Sequence, residues 1–191
     1  MKYNFNNDKS TSKTFGFDNY PNAESWEFKN NTTDRCLFKS DDFTGDAWKN
    51  DFEARYPEEN EDTTNLNRMF SFVVAHNRDT VSTQTEKDEM LADFKANFDD
   101  YFDRDLMLFY YIFTEVFLMV DSRAKNMFMT TYDGVHWLTL PYYMDTALGI
   151  NNEGELNFEY DLEDTDSVNG SQVFNGQSSV LWCNVRDAFS S

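Results

Sequence analysis

Apolar residues along this chain keep a helical spacing as far as Arg123 and an alternating one beyond it. In "DDFTGDAWKNDFEARYP", Trp48 and Phe52 stand four apart and Pro57 closes the run, which predicts a short helix over 44–55. "LNRMFSFVVAH" sets Leu66, Met69, Phe70, Val73 and Val74 on one face, predicting a helix over 64–76 with Thr63 or Thr64 as its cap. A further stripe of Met90, Leu91, Phe94, Phe98, Tyr101 and Phe102 predicts a helix over 86–102. The most apolar run, "LMLFYYIFTEVFLMV", predicts a central helix over 105–120 wrapped by the others. Its Glu115 must be paired or reach an edge, because an unpaired buried carboxylate is costly.

Past Arg123, "NMFMTTYDGVHWLTL" predicts a hairpin over 126–140 turning at Asp133-Gly134, with His136 in its second strand beside Trp137. "ALGINNEGELNFEYDLED" predicts another over 147–162, turning at Asn151 to Gly154, with Leu156, Phe158 and Tyr160 facing inward. "SSVLWCNVRDAF" predicts a closing helix over 179–189, capped by Ser178 or Ser179. Residues 1–40 are polar and Asn-rich with scattered aromatics, and read as an extended arm lying on its own core or on another subunit. The fold expected is α+β: a helical N-terminal layer, then an antiparallel sheet of β-hairpins and a closing C-terminal helix, with 41–191 as one domain.

Composition adds a reason to look for partners. The 191 residues suffice for one domain with a real core, yet 19 Phe, 10 Tyr and 4 Trp are more rings than scattered exposure would tolerate. Some are expected at an interface. Acidic residues outnumber basic ones 35 to 16, for a formal net charge of −19, and no Lys/Arg cluster exists to neutralise phosphates. Sequence-specific nucleic-acid binding and docking on an anionic membrane are therefore disfavoured. The run Leu106 to Val120 falls short of the ~20 residues that span a bilayer, so no membrane insertion is expected. Cys36 and Cys183 are too few for a disulfide framework or a zinc site, and residues 1–20 lack the apolar core of a secretory signal.

Catalytic signatures are missing. No HExxH, CxxC, GxSxG or GxxxxGK[ST] occurs, and His76 and His136 both read as structural. "MDTALGINNEGELNFEYDLEDTD" holds eight carboxylates, but an EF-hand register fails: Gly154 at position 6 puts Gly149 at 1 and Tyr160 at 12, and Gly170 there puts Gly176 at 12. An irregular cation site at Asp161, Glu163, Asp164 and Asp166 stays open, as does a solvated acidic edge. A carboxylate pair for glycoside hydrolysis cannot be selected from 35 acids, and no cofactor is expected. The densest constellation is "DSRAKNMF", where Asp121, Arg123, Lys125 and Asn126 sit between the last long helix and the first hairpin. They read as cations closing a helix end or as polar contacts between layers or subunits. Asp145, Asn151 and Asn152 are further structural or interaction candidates at the second hairpin.

The words "FTEVFLMVDSRAKNMF", "DGVHW", "YYMDTALGINNEGEL" and "VFNGQSSVLWCNVRDAF" resemble virion tail proteins of short-tailed, crAss-like bacteriophages, of the muzzle, tail-knob or tail-tip type. The resemblance covers roughly residues 105–189 and carries no catalytic residue. It implies a non-enzymatic structural component of a tail, made in the host bacterial cytoplasm, that contacts other virion proteins and forms a homo-oligomeric ring through which the genome leaves. Such proteins are usually longer than this chain, which implies a piece of a larger one. Two other readings stay open: a glycan-binding or carbohydrate-active domain acting at the host surface, motivated by aromatics and carboxylates, and an acidic calcium-stabilised binding module.

Overall fold

In a computed structural model, residues 12–119, 122–141, 147, 148, 150 and 178–189 are described. After a single helical turn, α1 (Ser12–Phe15), the elements are β1 (Glu24–Lys29), β2 (Phe52–Tyr56), α2 (Thr64–Ala75), α3 (Gln84–Asn97), α4 (Arg104–Val116), β3 (Lys125–Thr131), β4 (Trp137–Leu140) and α5 (Val180–Phe189). The strands form one antiparallel sheet in the order β2-β1-β3-β4. The class is α+β, with a C-terminal helix.

The expected helical N-terminal layer is corrected, because two strands precede the long helices. Residues 24–29, read as part of an arm, form an interior strand hydrogen-bonded on both sides. Its alternation explains why. Trp26 and Phe28 point to the core beside Met129 and Met127, while Ser25 and Glu27 point to the other face. The helix expected over 44–55 is a single 3-10 turn, Ala47–Asn50, followed by β2. Trp48 and Phe52 are both buried as their spacing required, but Phe52 gets there by pairing opposite Phe28 in the ladder. Local periodicity lost to a long-range strand partner.

The other helices lie close to their expected spans. α2 buries Leu66, Met69, Phe70 and Val73, and Thr63 holds its N-cap position, though the Thr63 side chain makes no capping bond and the Asp62 carboxylate accepts the Thr64 amide at 3.0 Å. α3 begins with a capping box between Thr83 and Glu86, and the stripe below it continues through a 3-10 turn so that Phe94, Phe98 and Phe102 are buried. Packed rings fill the interior: Phe38 stacks on Phe70 at 4.5 Å, Phe28 meets Phe52 edge-on at 4.7 Å, and Phe72 lies on Tyr101 at 4.1 Å. Among the described residues most of the rings are buried.

The β3–β4 connection is longer than a two-residue turn, and His136 sits in it instead of in a strand. The Asp133 carboxylate organises it by accepting the Val135 and His136 amides, each at 2.8 Å, the Thr131 hydroxyl at 3.0 Å and His136 Nδ1 at 2.6 Å. Gly134 takes φ +78°, with Asn65 against the place a Cβ would occupy, so the glycine is needed there. The hairpin expected over 147–162 lies outside the described residues but for 147, 148 and 150.

Candidate functional site

α4 joins the two features of functional interest. Asp103 caps it, accepting the Leu106 amide at 3.0 Å, and Met107, Tyr110 and Thr114 face inward against β4 and α5. The sequence is apolar on the opposite face as well. Phe109, Ile112 and Val116 are 54%, 58% and 67% exposed, with Leu106 and Phe117 at the two ends of the stripe. Phe113 bridges them, its ring 5.6 Å from Phe109 and 4.7 Å from Phe117. The expectation that this helix is wrapped by the others is corrected: one face is in the core and the other is open to solvent. Spacings of three and four from Leu106 to Phe117 make a continuous apolar strip on a strongly acidic chain.

At the C-terminal end of α4 the polar junction is built around Arg123, 4% exposed. Its Nε donates to the Thr114 hydroxyl at 2.9 Å, its guanidinium pairs with Glu115, and its plane lies 4.5 Å over the Tyr111 ring. Glu115 is thus paired, as its place in an apolar run required. Trp182 of α5 donates its Nε1–H to the Arg123 carbonyl at 2.8 Å, and the Tyr110 hydroxyl donates to the Ser122 carbonyl. Burial pushes the Tyr110 phenol well above its ordinary pKa, with Arg123 pulling the other way. Helix α4, helix α5 and the entry to β3 are tied together here by these hydrogen bonds.

Lys125 opens β3, and Asn126 is the extra residue of a β-bulge: Phe28 faces Met127 while Lys29 faces Lys125. Asn126 accordingly has φ +56°, a conformation asparagine tolerates better than most side chains. Of the sequence candidates, Arg123, Lys125 and Asn126 are brought together at this junction. Asp121, Asp145, Asn151 and Asn152 lie outside the described residues, as do the acids at 161–166. Sequence reasoning missed the open face of α4, although the signal was present as a helix apolar on every side.

The remaining candidate chemistry is structural. His76 bridges the Phe72 carbonyl, at 2.7 Å, and Asp93, at 2.9 Å, and its own carbonyl accepts from Asn184 of α5 at 3.0 Å. Burial pushes the Cys36 thiol up to about 11 and raises Cys183 as well, so neither offers a ready thiolate. Among the described residues no group of three or more His, Cys, Asp or Glu is placed to hold a metal ion, and no helix is long and apolar enough to cross a membrane. Comparison with family models, curated proteins and solved structures finds no match.

Proposed function

We propose that the chain is a structural subunit of a bacteriophage tail or tail tip, and that it associates with further copies of itself through the exposed face of α4. The observation that carries the reading is the strip from Leu106 to Phe117, whose apolar side chains include three more than half exposed. Burying one Phe or Ile fully contributes about 1.5–3 kcal/mol, and several buried together are needed to offset the freedom that two chains lose on associating. Charge favours a copy as the occupant. A chain of net charge −19 repels its own kind least where apolar side chains crowd out charge, and along this strip Glu115 is tied to Arg123 while Asp105 stands at the N-terminal end.

The tail setting is supported by the resemblance over residues 105–189, a span that contains both α4 and the Arg123 junction. An acidic exterior suits a passage along which DNA slides without sticking. Two experiments test the two halves of the proposal. Light scattering on a sizing column is expected to return a mass above that of one chain, and a monomer at every loading would overturn the assembly. The genes flanking the reading frame are expected to encode portal, collar or other virion proteins, and a neighbourhood without them would overturn the tail setting.

A further inference from the structure

Away from the α4 strip, an open cleft of about 650 Å³ lies between the N-terminus of α4, the β3–β4 connection and the turn before β1. Its volume falls in the range of small-ligand sites. One wall is aromatic: Tyr20, 48% exposed, meets Tyr132 edge-on at 5.0 Å, with Phe102 and Leu138 also lining the cleft. The rest of the lining is polar and carries four carboxylates, two of which are engaged by other lining groups. Arg104 pairs with Asp99 at 2.7 Å and His136 with Asp133 at 2.6 Å.

We infer that this cleft binds a neutral carbohydrate, with a sugar ring on Tyr20 and its hydroxyls between Asp105, Arg104 and His136. Pairing decides the class of ligand. Asp133 engages His136 through Nδ1, which leaves Nε2 on the other side of the ring, and Arg104 spends one nitrogen on Asp99. The Asp105 carboxylate and the Tyr20 hydroxyl have no hydrogen-bond partner among the described residues. The lining therefore offers donors and acceptors side by side, which matches hydroxyl groups that are both at once. A cation would need acceptors alone, and an anion would meet four carboxylates. The C–H face of a sugar also suits the exposed Tyr20 ring, which already sits against Tyr132 and loses little freedom on binding.

The test is a glycan array followed by titration calorimetry with the best neutral oligosaccharide, with hexalysine as a cationic probe. Binding of at least one neutral oligosaccharide is expected, weakened about tenfold by Tyr20→Ala, which removes the platform, and likewise by Asp105→Asn, which keeps the fold. Silence on the array would overturn the inference. So would binding that neither substitution weakens, or binding of hexalysine alone. Ile112→Glu on α4 is expected to leave sugar binding unchanged, so failure here and failure of the assembly reading are read separately.

Discussion

Replacing Arg123 by alanine would leave the Thr114 hydroxyl only the bond it donates to the Tyr111 carbonyl, take the cation from the Glu115 carboxylate and remove it from the Tyr111 ring. Because Glu115 keeps access to water, the loss is set below that of a fully buried pair, at about 2 kcal/mol. Urea denaturation checks it, and Arg123→Lys is expected to recover little, since an ammonium cannot reach two partners from one plane. At Asn126 the bulge sets the backbone cost: Asn126→Val is expected to lose more than 1 kcal/mol by the same measurement, and Asn126→Gly less than that, since glycine takes φ +56° without strain. Asp133 gives a pH dependence. Burial alone would raise its pKa, but hydrogen bonds from His136, Val135 and Thr131 outweigh that and hold the carboxyl below the usual range. A folded pKa below the unfolded one means that stability is fully present above about pH 4 and drains away as pH falls further. In acid titrations followed by circular dichroism, wild type and Asp133→Ala are expected to differ most at neutral pH and to converge in acid.

Elements differ in what holds them. α3 buries a single side chain of its own, Phe94, so it leans on its capping box more than α2 or α5 do. Thr83→Ala is expected to cost about 1 kcal/mol, measured as a lower urea midpoint at unchanged slope. The same contrast explains what the sequence made legible. Helices with a regular stripe, such as Leu66 to Val73, can be placed from local pattern, as can β3 and β4 on either side of Asp133-Gly134. β1 and β2 cannot. Their pairing is long-range: Trp26 finds Met129 on one side and Ala54 on the other, and nothing near Trp26 in the chain announces either. Arg123, Lys125 and Asn126 were legible as a junction because cations after an apolar helix have few other uses. The open side of α4 was not, because an all-round apolar helix reads as a buried one until its neighbours are placed.

At the scale of the whole molecule, two features act against each other. A net charge of −19 keeps chains apart, while the α4 strip offers a mostly apolar place to meet. Salt screens the first and leaves the second, so association is expected to tighten as ionic strength rises, the reverse of an assembly held by ion pairs. The most direct measurement is sedimentation equilibrium over a range of concentrations, comparing wild type with Ile112→Glu. The expected result is a concentration-dependent mass above one chain for wild type and a single-chain mass for the variant, which still unfolds cooperatively because Ile112 lies 58% exposed. A wild type that sediments as one chain throughout, or a variant that assembles just as well, would contradict the account.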